Sequence, residues 1–208
     1  MEVALQLNEK EGKGETVVVA VGPDSVQETL RKAMSMGADR GVQLRADRSP
    51  VDGLAVAKAL AAELRDGGYD LLLFGKHAFD TSAAIVGTAT AELLGLPCAT
   101  AVSKLEIANG RGTARRELEG AAEIVEFPLP AVVTIDEGIA RPRYPSLKGI
   151  MAAKKKPLEQ KPAQLGPVRV TVQGMALPPD RPAGRIIGEG AAAVPELVRL
   201  LHTEAKVL

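Results

Sequence analysis

Apolar residues along the first two-thirds of the chain fall in two alternating rhythms. Continuous apolar runs closed by glycine occur at ETVVVAVGP (15–23) and YDLLLFGK (69–76), with RGVQLR (40–45) between them. Short runs of this kind predict strands buried on both faces, as in a parallel sheet. Elsewhere apolar positions recur at three- and four-residue steps, the helical period. Val3, Leu5 and Leu7 predict a helix ending before Gly12. Leu30, Ala33 and Met34 share a face of a helix that Asp24 or Ser25 can cap. Leu54, Ala57, Leu60, Ala61 and Leu64 mark a helix over 51–66, and DTSAAIVGTATAELLG (80–95) predicts a capped helix closed by Gly95. Strand and helix in this alternation imply right-handed crossovers and an α/β fold, a parallel-type twisted sheet with helices on both faces.

After Pro97 the rhythm changes. CATAVSKLEI, TARRELEG, AAEIVEFPL and AVVTID are strand-like runs separated by turn residues, an antiparallel hairpin extension in which Asn109-Gly110 is a strong turn signal. From 157 onward prolines and glycines thicken, which predicts a C-terminal arm without its own core that ends in a helix at about 193–206. The expected division is a nucleotide-binding-like domain over 1–157 and an extended arm over 158–208.

Composition narrows the function classes. The 208 residues carry 26 basic and 26 acidic side chains, so no global charge draws the chain to nucleic acid. Aromatics make up 2% and tryptophan is absent, which argues against base-stacking platforms. No apolar run approaches the ~20 residues needed to span a bilayer, and no membrane insertion is expected. Cys98 is the one cysteine, so no intrachain disulfide can form. With His77 and His202 it makes too scattered a set for a metal site of ordinary spacing. These features fit a cytoplasmic chain without a targeting segment.

In an open parallel sheet ligands bind beyond the carboxyl ends of the strands. Val21 and Gly22 lie at one such end, Gly75 and Lys76 at another. Asp80, Thr81 and Ser82 then sit where a helix start offers free N–H groups to an anion. Gly87 is placed to admit a flat ring or sugar. Together they describe a mononucleotide pocket, although ordinary βα turns with ordinary caps give the same pattern. GEGAAA (188–193) imitates a dinucleotide fingerprint but lacks the following βαβ unit. No catalytic acid, base or nucleophile stands out, so any chemistry served here belongs to a cofactor.

More specific are ETLRKAMSMGADRGVQL (28–44), LLLFGKHAFD (71–80) and LPAVVTIDEGIARPRYPSLKGIMAAKKKPLE (129–159), with the spacing between them. From about residue 15 to 165 the chain resembles the β-subunit of electron transfer flavoprotein. The resemblance implies a heterodimer whose α-subunit holds most of the FAD contacts. It implies electrons accepted from acyl-CoA and related dehydrogenases and passed to a membrane quinone oxidoreductase. It also implies a structural AMP site here, on Val21, Gly22 and the stretch 75–87, which includes Ala84, Ile85 and Val86. The family's partner-recognition loop matches residues around 141–152, with Tyr144, Leu147, Ile150 and Met151 in it and Leu147 as the anchor. Prokaryotic members are cytoplasmic and eukaryotic ones lie in the mitochondrial matrix.

Residue chemistry adds detail to that loop. Ser146 can cap a short helix with Leu147, Ile150 and Met151 on one side, Ile150 and Met151 being able to pack inward. Lys154, Lys155 and Lys156 follow at its carboxyl end, where they would steer partners. Lys148-Gly149 replaces a Pro-Asn pair of other members and is expected to loosen the loop. Some forty N-terminal family positions have no counterpart, so either the chain starts at a late methionine or the sheet is expected to be one strand short. Two other readings share the layout: an electron-bifurcating relative with a second FAD and NADH, and a nucleotide-binding domain of the universal-stress type.

Overall fold

The computed structural model describes residues 1–181 and 183–208 and divides into two compact units, Met1–Val172 and Gln173–Leu208. In the first unit, α1 (Glu2–Glu11) ends at left-handed Gly12, as its pattern predicts. β1 (Val17–Gly22), α2 (Val26–Met36), β2 (Arg40–Arg45), α3 (Gly53–Leu64) and β3 (Leu71–Gly75) follow in the expected order. α4 (Val86–Leu94) comes next, then β4 (Cys98–Ala108), β5 (Arg111–Leu118), β6 (Ala121–Pro128), β7 (Ala131–Ile135), α5 (Leu147–Ala153) and β8 (Leu158–Pro162).

Parallel pairing, with helices as crossovers, gives the expected α/β architecture. The strands form two sheets, in the orders β1-β2-β8 and β3-β7-β4-β5-β6. β1 pairs β2 and β2 pairs β8, both in parallel. β3 and β4 both pair β7 in parallel. β4–β5 and β5–β6 are antiparallel hairpins, the first turning at Asn109 and Gly110, both with positive φ. The hairpin series therefore stops at β6, and β7 returns to the parallel part.

β1 and β3 do not pair with each other. Val17–Val21 and Leu71–Phe74 line one cavity of about 350 Å³, closed by Val56, Leu60 and Leu64 of α3, by Ala4 of α1 and by Met1 ahead of it. Both strands were expected to be fully buried, yet most of their residues are only half-buried. An unpaired edge leaves side chains and main chain open where a neighbouring strand would cover them.

The core continues across this split on one face. Val42, Leu44, Ala59, Leu60, Leu64, Leu72, Ala91 and Val132 form one buried cluster, which draws on α3, α4 and both sheets. Leu54, counted on the buried face of α3, is exposed instead; Ala57, Leu60, Ala61 and Leu64 are buried.

The first unit extends beyond 157, the end of the expected nucleotide-binding-like domain. β8 adds to β2, and Ala163 and Leu165 pack on the core, so the start of the expected arm belongs to the sheet. In the second unit a helical end matches the expected one: a 3₁₀ turn (Ala191–Ala193), α6 (Val194–Leu200) and a π turn (Leu201–Ala205). No helix among the described residues is long and apolar enough to cross a membrane.

Candidate functional site

Two groups of candidate residues lie at carboxyl ends of strands, one in each sheet. Val21 and Gly22 close β1. The Gly22 carbonyl accepts from Ala46 N and from Gln43 Nε2, which also donates to Pro23 O. Gln43 is fully buried, and its Oε1 has no partner among the described residues. A buried acceptor of that kind calls for a donor from a ligand or a water. Neither Asp24 nor Ser25 caps α2 through its side chain; Asp24 instead pairs with Arg45 at 3.0 Å.

The second group follows β3. Lys76 Nζ donates to Asp136 Oδ2 at 2.9 Å, and this bond holds the Asp136 carboxyl below its ordinary range. Asp136 stands just beyond β7 and was not singled out in the sequence, because only the parallel β3–β7 register brings it to Lys76. Gly75, Asp136, Glu137 and Gly138 border a cavity of about 430 Å³, together with Met1, Glu2 and Pro142.

Asp80, Thr81 and Ser82 do not stand at a helix start, contrary to expectation. Asp80 Oδ1 accepts from Thr81 N, and Ser82 and Ala84 adopt left-handed φ of 48° and 50°. That local bond and backbone end any helical path, so α4 begins only at Val86. Its N-cap, Ile85, has no side chain that accepts from the first turn. The first-turn N–H groups are thus open to an anion, with exposed Thr81 and Ser82 hydroxyls on the preceding loop. Gly87 does not admit a ring. It is buried against Thr134 and Phe74, and a Cβ there would come within 2.7 Å of Thr134 Cγ2. The α4 N-terminus is therefore uncapped by a side chain, and Gly87 offers no slot for a base.

The third group is the 141–156 segment. Ser146 caps α5, its Oγ accepting from Gly149 N at 3.0 Å, as its position predicts. Tyr144 is 92% exposed, Leu147 84%, Met151 63% and Ile150 41%. Ile150 and Met151 therefore do not pack inward. The inward residue is Ala153, which joins Met34 and Ala38 in a small core. The lysines divide: Lys154 and Lys155 are exposed, whereas Lys156 is half-buried and bonded to carbonyls of α2 and the residues after it.

Approach to α5 is held by Arg143. It donates to both oxygens of Glu2, at distances from 2.8 Å, and to both of Glu9. These bonds lower the carboxyls of Glu2 and Glu9 and raise the guanidinium. Glu2 is the buried member of the trio.

Comparison with known proteins places these features in a family context. Residues 1–165 match the family model described as the electron transfer flavoprotein domain. The chain is similar to electron transfer flavoprotein subunit beta of Bacillus subtilis, 39% identical over all of this chain and 84% of the relative. It is 40% identical to the subunit beta of Bradyrhizobium diazoefficiens, over all of this chain and 83% of the relative. To the human subunit beta it is 38% identical, over 88% of this chain and 75% of the relative.

Proposed function

Because the chain belongs to the electron transfer flavoprotein family, we propose that it is the β-subunit of a heterodimeric electron carrier. In this reading it pairs with an α-subunit that holds most of the FAD contacts. The pair takes electrons from acyl-CoA and related dehydrogenases and passes them to a quinone oxidoreductase.

One observation carries the docking part of the reading: Leu147 stands 84% exposed at the head of a capped helix. An apolar side chain held in water at a defined place gains on entering a partner's groove, roughly 1.5–3 kcal/mol for full burial. Such a residue is the form a docking hot spot takes. Tyr144 and Met151 widen the apolar surface, while Lys154 and Lys155 add positive charge that speeds encounter with an acidic partner.

FAD, when bound, supplies the redox chemistry; this chain's residues bind and orient. The cavity beyond β3 and β7, with Gly75 and Asp136 at its border and Lys76 bonded to Asp136, is the part of the first unit we assign to the face toward the flavin. For AMP, the open N-terminus of α4 with Thr81 and Ser82 would hold the phosphate. Val21 and Gly22 would approach the nucleoside with backbone.

Co-expression with a candidate α-subunit tests the reading, followed by the visible spectrum, nucleotide extraction and transfer kinetics. One flavin per heterodimer with extractable AMP is expected. Two flavins would move the pair to the bifurcating branch, and a colourless pair would overturn the assignment. Leu147→Ala is expected to slow transfer from an acyl-CoA dehydrogenase about tenfold or more, as at interface anchors, without changing flavin content. Unchanged kinetics would overturn its docking role.

A further inference from the structure

α5 is held more firmly than its own sequence explains. Its seven residues fall short of the ~12–15 at which an isolated helix becomes marginally stable in water. Three of its apolar side chains face solvent instead of a core. Reciprocal caps with α2 make up the difference. Arg31 Nη1 of α2 donates to the carbonyls of Ala153 and Lys156, each at 2.6 Å, at the carboxyl end of α5. In return Lys156 Nζ donates to the carbonyls of Met34, Gly37 and Ala38 at 3.1, 3.3 and 2.6 Å, at the carboxyl end of α2. Each helix end, with its unpaired carbonyls and negative dipole, receives a cation from the other element.

Between the two caps the helices touch without a side chain in the way. Gly149 lies so close to the Ser35 carbonyl oxygen that a Cβ would collide with it. Met34, Ala38 and Ala153 close the seam below. Gly149 thus tightens the segment instead of loosening it.

We infer that Arg31, Lys156 and Gly149 are positioning residues for partner docking. They fix α5 against α2, so that Leu147 stands in its docking orientation before any partner arrives. The inference rests on the docking role of Leu147. A pre-ordered segment loses less conformational freedom on association than a mobile loop does. Loosening the clamp therefore weakens productive encounter while leaving electron transfer within the formed complex intact.

The heterodimer with its α-subunit is the material for the test, and a purified acyl-CoA dehydrogenase with its acyl-CoA substrate is the electron source. Lys156→Met and Gly149→Ala are each expected to raise KM for the dehydrogenase about fivefold, the scale of a displaced interface side chain. Flavin absorbance and kcat should hold, and amide exchange over residues 147–153 should accelerate. In a Leu147→Ala background, Lys156→Met should add less than a further twofold, because the clamp acts through Leu147. Unchanged KM despite faster exchange would overturn the inference. So would a Lys156→Met effect that is equally large without Leu147. If the Lys156 variant fails to assemble, Gly149→Ala carries the test alone. Unchanged transfer in Leu147→Ala by itself would instead overturn the docking role beneath it.

Discussion

Asp52 accepts three backbone N–H groups, from Leu54 and Ala55 in the first turn of α3 and from Arg169 far along the chain. One carboxylate thereby caps a helix and fastens the segment after β8. The Arg169 amide, ahead of the helix amides, holds its pKa below the ordinary carboxylate value. A lowered pKa contributes stability that is fully present above the unfolded value of about 3.9 and is lost as pH falls through the folded one. Asp52→Ala should therefore lower the thermal midpoint near neutral pH, and its gap from the wild type should shrink below about pH 4. A gap that stays constant on acidification would contradict this. In the sequence Asp52 is a single acidic residue at the start of the apolar pattern over 51–66. Its cap was within reach of a local reading, but its bond to Arg169 was not. Ser146 shows the same boundary. Its bond to Gly149 N spans three residues and could be foreseen, whereas the fit of Gly149 against Ser35 depends on the approach of two helices.

At the scale of elements, the apolar runs that announced β1 and β3 were sound as strands, since each is a short continuous apolar run closed by glycine. Their burial was misjudged, because burial belongs to neighbours. Each strand is paired on one side only, and the two free edges face one apolar cavity. Amides on those edges have no ladder partner to protect them. Alternate amides of Val17–Val21 and of Leu71–Phe74 should exchange about tenfold or more faster than those of β2 and β7, which are paired on both sides. Equal protection across all four strands would show that the cavity is closed in solution. α4 carries a related lesson. The run from Asp80 read as a capped helix, yet Asp80 spends its carboxylate on Thr81 N, so the helix starts at Val86. Competition between side-chain and helical hydrogen bonds is settled locally in three dimensions, and composition alone gives both outcomes.

Over the whole molecule, Met1–Val172 contains the sheets and the candidate sites, while Gln173–Leu208 forms a second unit. In that second unit Met175, Leu177 and Ile186 are almost fully exposed. In the proposed heterodimer, large apolar side chains left in water over one segment are expected to pack against the α-subunit. Deleting residues 175–208 should abolish heterodimer formation; an intact complex on size-exclusion chromatography would reject that assignment. The sequence by itself determined the alternation of strands and helices, the Asn109-Gly110 hairpin, the capped α5 and the family. Each of these depends on residue type at short spacing, which the chain carries wherever it folds. Only the tertiary structure decided that β1 and β3 do not pair with each other, that Asp136 meets Lys76, and that Arg31 and Lys156 lock α5 onto α2. Those outcomes join groups far apart in the chain and depend on strand edges, strand register and backbone carbonyls, which no residue type advertises.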